Sequence, residues 1–373
     1  MLRGFHLSLL IGPGVPLPAR REVVEAIISV RVTQASGSRS GFQIQLAVEK
    51  GGLIERQLLP FGYFDPLVRV ILATTINGIP TVLMDGLIGR QDMAPGTTPG
   101  TSTLTLSGED ISVAMSLIDL SQLIPYPAMT AEIQVATVIA RYAAFGMIPM
   151  IIPSPFQELP NPLERWSQHQ GTDLDHVTGL ANDVGYVFYV IPGPAIGTSI
   201  AYWGPEIRHG PVQPALNVNM DAHTNVESLS FNFDGLSARM PVMVFYEENS
   251  HAPIPIPIPS VGILRPPLAA KPAIPFPRFE RQEGQSMMRT VGIGLARAAQ
   301  SSDNATASGT LDVTRYGRVL QARALVDVRG AGHTYDGTYY VKSVTHDIKR
   351  GEYKQSFSLA REGVLPLTTR VQT

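Results

Sequence analysis

The sequence predicts a mainly β protein in which an α+β segment separates two antiparallel β regions. Three observations lead there. Residues 336–361 read D-G-T-Y-Y-V-K-S-V-T-H-D-I-K-R-G-E-Y-K-Q-S-F-S-L-A-R; two runs of pleated-sheet residues flank a turn, which is the signature of a hairpin. Residues 20–110 carry short alternating runs at close spacing, as a small sandwich or barrel does. Between the two regions, residues 110–183 change to apolar spacings of three and four, the period of a helix.

Composition sets the limits. A chain of 373 residues holds two or three domains, and its 44% hydrophobic content supplies a core. Charged residues are only 16%, against the usual quarter, so much of the surface is uncharged or covered by partners. A net charge of −2 implies no broad basic face for nucleic acid. There are no cysteines, which excludes disulfides and thiolate metal sites. The apolar run Leu7–Ile11 ends at Gly12-Pro13-Gly14, too short for a signal sequence. No run approaches the ~20 apolar residues of a membrane span, so a soluble protein without stable membrane insertion is expected.

In chain order, Ile27–Thr33 and Gly41–Val48 read as strands around the turn-forming A-S-G-S-R-S. Leu67–Ala73 and Thr81–Ile88 form a hairpin through Asn77-Gly78. Asp92–Ser102 reads as a loop, followed by a strand at Thr103–Ser107. Helical spacing marks Asp110–Leu120, Thr130–Phe145 with Gly146 as its stop, and Asp173–Asp183 with Gly185 as its stop. Pro149–Pro162 reads as a Pro-rich link, and Tyr186–Ile191 with Thr198–Trp203 as a second hairpin. Strand character returns at Asn217–Asn219, Ser228–Asp234 and Met240–Tyr246.

Asn249–Arg281 holds nine prolines, among them Pro253-Ile254-Pro255-Ile256-Pro257-Ile258-Pro259. Prolines at every second position strip donors from one edge of an extended chain and put the isoleucines on one face. The run suits an edge strand or a polyproline arm laid on a surface. Ser286–Ala299 follows as a helix weakened by Gly292 and Gly294, then a polar loop at Ser301–Ser308, then strands at Thr310–Val313 and Val319–Val328. In the closing hairpin Tyr353, Phe357 and Leu359 share one face and Lys354, Ser356 and Ser358 the other. Tyr339 and Val341 are out of phase with Val344, His346 and Ile348, which predicts a bulge near Lys342–Ser343.

Chemical signals are sparse. On one helix His169, Asp173 and His176 would share a face fit for a metal, but Gly171-Thr172 starts that helix and leaves His169 outside it. Gly292-Ile293-Gly294 lacks the third glycine and flanking strand of a dinucleotide site. Ser107-Gly108-Glu109-Asp110 reads as acidic charge before a helix start. Trp166 and Trp203 read as core. There is no nucleophile elbow and no phosphate loop, so the residues point to no catalytic, cofactor or metal site.

The closing hairpin nevertheless resembles the final strands of phage tail hub proteins of the late-control D family, which is related to the N-terminal hub part of VgrG spike proteins. G-T-D-L-D-H-V-T-G-L-A-N-D-V-G-Y-V-F-Y at Gly171–Tyr189 looks like the middle domain of that family, and L-S-G-E-D-I-S-V-A-M-S-L at Leu106–Leu117 like the end of its first barrel. The match in order and spacing runs over about residues 20–362.

The resemblance implies two tube-like antiparallel β-barrel domains, at 1–125 and 211–365, around an α+β domain at 126–210. The second barrel would be interrupted by the Pro-rich 249–285, with 366–373 as a tail. It implies a homotrimeric, non-enzymatic baseplate hub in a virion tail, assembled in the bacterial host cytoplasm. Partners would be a tail tube protein, a separate spike protein and other baseplate proteins. Only Glu362–Thr373 follow the last strand, which leads to the expectation that the spike is another chain. Pro253, Ile254, Pro255, Ile256, Pro257 and Ile258, with Lys354, Ser356 and Ser358, are the expected interface residues; the Pro-Ile run is expected to pack on a neighbouring barrel. The competing readings are a tail-associated peptidoglycan hydrolase using Asp173 and His176, and a carbohydrate- or receptor-binding module using Trp203.

Overall fold

A computed structural model describes residues 4–96, 100–155, 167–246, 253–258, 266–281, 287–300 and 303–367. The first β region supplies β1 (Phe5–Gly12), β2 (Ile27–Ala35), β3 (Gly41–Glu49), β4 (Arg69–Ile76), β5 (Ile79–Pro95) and β6 (Thr101–Asp110). The middle holds α1 (Ala131–Ala140), β7 (Met147–Ile151), α2 (Asp173–Asp183), β8 (Val187–Pro192) and β9 (Ser199–Gly204). Then come β10 (Val212–Asn217), β11 (Val226–Phe233), β12 (Arg239–Tyr246), β13 (Pro253–Pro257), β14 (Phe276–Arg281) and α3 (Met287–Gln300). After them come β15 (Ala305–Asp312), β16 (Leu325–Arg329), β17 (Gly337–Lys349) and β18 (Glu352–Arg361); β18 is not the last strand as expected, since Gly363–Pro366 pairs antiparallel with Ala269–Pro272.

The two β regions are not separate sheets. One 13-stranded sheet runs in the order β11-β15-β18-β17-β2-β3-β6-β5-β4-β1 and on to the short strand Leu17–Pro18, with β10 and β16 off this path, and is joined through β17 and β2. Ser343–Lys349 of β17 pair antiparallel with Ala35–Ser29 of β2. The register slips between Val341 and Ser343, where the bulge was expected. Before the slip β17 pairs with β16, from Gly337 to Tyr340; after it the strand pairs with the other β region. The slip also brings Tyr339, Val341, Val344, His346 and Ile348 to one buried face. Gly351 closes the β17–β18 turn at φ +77°, a conformation glycine adopts without strain. A single core cluster spans both regions, with Val30, Ile44, Leu72 and Leu106 on one side and Leu311, Val326, Val344 and Phe357 on the other.

The middle region has its own core of Val135, Val138, Ile139, Val177, Ala181, Val190 and Trp203. Thr172 starts α2 with a reciprocal capping box to Asp175. The β8–β9 hairpin is extended by β7, which pairs parallel with β9. Gly146, at φ +75°, ends the preceding turn; a Cβ there would lie 2.2 Å from the Gly197 carbonyl oxygen.

Several expectations need correction. Asp92–Ser102 is mostly strand: β5 continues to Pro95, and Arg90, Asp92 and Ala94 pair with Ser107, Thr105 and Thr103. Asp110–Leu120 gives only a 3-10 helix at Ile111–Ser116, where Asp110 accepts from the Ser112 amide. Pro149 lies inside β7, where an outer strand tolerates it, and residues 156–162 of the expected link fall outside the described residues. Trp166, Pro259 and Ser286 also fall outside them. The expected loop at Ser301–Ser308 gives way to β15 from Ala305.

The Pro-rich run is an edge strand of a small folded unit rather than a free arm. It forms β13 in a three-stranded sheet of order β13-β12-β14. Helix α3 covers this sheet, and Ile258 packs with Met243 and Ala298 of its own chain. Gly294 permits the close approach, since a Cβ there would meet Ile258 and Met243 at 2.8 Å. The Ile258 N–H donates to the Pro241 carbonyl at 2.9 Å. By alternation Ile254 and Ile256 point their N–H groups the same way, and the ring nitrogens of Pro253, Pro255 and Pro257 face outward. That outer edge carries no donors there and is closed to further strand pairing.

Candidate functional site: a hydroxyl face with two open edges

One continuous surface is the side of the sheet turned away from its core. In β18 the core side takes Tyr353, Gln355, Phe357 and Leu359, and the far side Lys354, Ser356 and Ser358. Pairing continues that far side through Ser308 and Thr310 of β15 to Ser228 and Ser230 of β11. In the other direction it runs through Ser343 and Thr345 to Thr33 and Arg31, then Gln43, Ser107 and Arg90. The hydroxyls bond across strands: Ser343 to Ser358 at 2.7 Å, Ser228 to Thr310 at 2.8 Å and Ser230 to Ser308 at 3.1 Å.

The charges on this face are paired locally. Arg31 meets Asp347 at 2.7 Å, Lys354 meets Glu227 at 3.0 Å and Glu352 at 3.3 Å, and Arg90 meets Asp92 at 2.8 Å. Glu227 and Glu352 also raise the Lys354 pKa. The result is a wide, nearly neutral polar wall spanning both β regions, with little field to hold a charged molecule on it. Lys354, Ser356 and Ser358 sit near its centre. Pro253–Ile258 lie in the small unit, where Ile254 is exposed and Ile258 is 3% exposed.

Among the described residues this wall has two open edges. Terminal β11 pairs only with β15 there. The pairing of β5 with the segment that leads into β4 ends at Ile88, whose N–H donates to the Val68 carbonyl, so among the described residues the continuation of β5 to Pro95 has β6 on one side alone. Residues 89–96 are exposed throughout. The two edges share a polar far side, but their core sides differ, since Gln91 of β5 lies opposite Leu106. β11 puts Ser228, Ser230 and Asn232 on the hydroxyl side and Leu229, Phe231 and Phe233 on the core side. β5 puts Arg90 and Asp92 on the hydroxyl side and Met93 on the core side, beside buried Leu104. Paired together, these edges would continue the polar far side without a break. Residues 89–95 read G-R-Q-D-M-A-P, with no period of two to mark a strand, and the Pro, Gly and Thr that follow made Asp92–Ser102 read as a loop.

The residues of the competing readings are enclosed. Asp173 is 3% exposed and held by Arg141 at 2.8 Å and Tyr142 at 2.7 Å. His176 is 4% exposed. His169 lies outside α2, as expected, yet stacks on His176 with ring centroids 4.3 Å apart. No group of metal-ligating side chains occurs among the described residues. Trp203 is wholly buried, its indole N–H donating to the Val177 carbonyl at 3.3 Å. Asp110 caps its short helix and also accepts from the Ser40 amide at 2.7 Å, while Glu109 pairs with Arg39 at 2.6 Å.

No family model and no curated protein sequence matches the chain. Solved structures do. A tail protein from Neisseria meningitidis MC58 aligns with a TM-score of 0.62 at 15% identity, over 97% of this chain and 98% of that one. The 43 kDa tail protein of prophage MuSo2 from Shewanella oneidensis gives 0.61 at 13% identity, over 96% and 99%. A component of the type VI secretion system from E. coli gives 0.51 at 9% identity, over 93% of this chain and 75% of that one. The chain therefore has the fold of tail and type VI spike-related proteins, and the resemblance read from the sequence holds at the level of fold.

Proposed function

We propose that the chain is a structural baseplate hub of a phage tail or a related contractile injection system. In this reading three copies close into a ring that adapts a hexameric tail tube to a threefold spike. It resides in the tail baseplate of the virion and is assembled in the host cytoplasm. The observation that carries the reading is the pair of open edges on one sheet, the terminal strand β11 and the extension of β5 beyond its pairing with β4. An edge of exposed backbone donors and acceptors is a template for another strand. When the two edges differ but match, copies add head to tail and a suitable rotation closes the ring.

Two β regions per chain would give a trimer six similar β units, which is the match to a sixfold tube. The hydroxyl face would then turn toward a lumen or a neighbouring subunit. Its paired charges suit a wall that cargo must pass without sticking. The tail-protein fold, over 96–97% of this chain and 98–99% of the matched ones, agrees with a structural role.

The absence of native cysteine makes the edge pairing directly testable. Asp92→Cys or Ala94→Cys, combined with Ser228→Cys or Ser230→Cys, should give oxidised oligomers up to a closed trimer, while each single variant should not. Only monomer from every combination, in protein that sizes as an oligomer, would refute this mode of closure.

A further inference from the structure

A buried pair of stacked histidines in the middle region is used by nothing described above. His169 is 0% exposed and His176 4%. Their rings stack at 4.3 Å, and Tyr126 stacks on His176 at 5.1 Å and 12°. The pair lies where three pieces meet: helix α2, helix α1 and the segment 119–126. Backbone bonds already tie that segment to residues 169–171, from Leu120 N to Gly171 O and from His169 N to Ile124 O.

The hydrogen bonds fix the protonation state of His176. The Gln134 side-chain N–H donates to the Met129 carbonyl at 2.9 Å, so its Oε1 faces His176 Nε2 at 3.1 Å. His176 Nε2 therefore carries the proton, and Nδ1 accepts from the Gln170 amide at 3.3 Å. Arg141 donates to the Tyr126 hydroxyl at 3.3 Å, and that hydroxyl is hydrogen-bonded to His169 Nδ1 at 3.0 Å, in whichever direction the imidazole tautomer sets. His169 Nε2 sits 3.3 Å from Asp173 Oδ1 but is not aligned for a hydrogen bond. The His176 imidazole is thus neutral with Nδ1 in use as an acceptor. It can gain a proton only by losing the bond from the Gln170 amide.

We propose that the His169–His176 stack is an acid-sensitive latch, which holds α2 against the segment 119–126 and α1 and releases when both rings are protonated. The neighbouring charges do not compensate. From after α1 comes Arg141, from α2 Asp173 and Asp175, and from the segment 119–126 Asp119; Tyr126 and Tyr142 are neutral. Asp173 is already matched by Arg141, Asp175 is held in the capping box, and Asp119 is bound to Ser121. Two imidazolium rings at stacking distance would repel with one partly screened carboxylate nearby. Burial first, then His169, lowers the His176 pKa from 6.5 to about 4, and burial lowers His169 as well. Both groups are depressed, so their contribution is full above the ordinary imidazole value and is lost as pH falls toward 4.

The test is hydrogen exchange on the full chain, near pH 7 and at about pH 4.5, corrected for intrinsic rates. The α2 amides should lose protection by roughly tenfold or more while the β2–β3 and β17–β18 amides keep theirs. Trp203, whose indole bonds to α2, should red-shift over the same range in a Trp166→Phe background. In the doubly substituted His169→Gln/His176→Gln chain, both changes should move to lower pH or vanish. The latch is overturned if wild-type α2 stays protected at the lower pH, if α2 and the sheet open together, or if a double variant folded at neutral pH behaves as wild type. The wild-type exchange data decide the matter alone if the variant does not fold.

Discussion

Arg69 and Asp85 form a two-pronged ion pair, at 2.8 and 2.7 Å, between β4 and β5, with side chains only 5% and 1% exposed. The same arginine donates to the Gly197 carbonyl at 2.9 Å and Ser199 to the same aspartate at 3.1 Å, so the pair pins the middle region to the first β region. Asp85→Ala strands a buried guanidinium and should cost about 3–5 kcal/mol in denaturant melts; Arg69→Met/Asp85→Leu together should cost much less. His346 is 1% exposed in the core of β17, bonded to the Tyr353 hydroxyl at 2.8 Å, and burial lowers its pKa from 6.5 to about 3. Its stability contribution is therefore full above the ordinary imidazole value and falls away below it toward pH 3, so His346→Gln should flatten the acid limb of a stability–pH curve. Neither environment was visible in the sequence. Asp85 and Ser199 are 114 positions apart, and the pattern around His346 gave its face but not its partner. His169 and His176 met for a similar reason: the Gly171-Thr172 turn that separates them along the chain also folds one ring onto the other.

Local elements were the most legible, because their signals are local. The spacing from Asp173 to Asp183, the Asn77-Gly78 turn and the phase change in β17 each recur in the structure at the expected residues. Elements whose residues also suit turns were misread. Gly89–Pro95 extends a strand because Ser102–Ser107 lies beside it, a neighbour that composition does not reveal. Of the two readings of the Pro-Ile run, edge strand or surface arm, the structure has the edge strand, whose partner β12 and cover α3 come from outside the run. Two predictions follow from that packing. Ile258→Ala removes a side chain buried under α3 and should destabilise the small unit by about 2–5 kcal/mol, read by local hydrogen exchange. Ile254→Ser, at a position 44% exposed, should stay within about 0.5 kcal/mol, leaving assembly as the property it reports on. At the Gly146 turn, Gly146→Ala should lower stability by about 1–3 kcal/mol in thermal melts, from positive φ and the close Gly197 oxygen.

At the scale of the whole molecule, the two β regions expected as separate barrels share one sheet and one core. The join depends on Arg31 lying beside Asp347, 316 residues away along the chain, and no periodicity within either strand records it. What the sequence did carry was the chemistry of the resulting wall: Lys354, Ser356 and Ser358 on one parity of β18, and few charges overall. The outward-facing prolines of β13 close one edge, while β11 and the end of β5 leave two edges open. From this contrast comes the central claim, that copies of the chain join through the open edges into a ring. Light scattering on the purified full chain, at tens of micromolar and with or without the tail tube protein, tests it most directly. The account predicts a species of three times the 40.3 kDa chain mass, reduced to monomer by Phe233→Pro in β11, whose N–H faces the open edge because that of Asp234 donates to the Asn304 carbonyl of the neighbouring side. A monomer under every condition, including with the tube protein present, would contradict it.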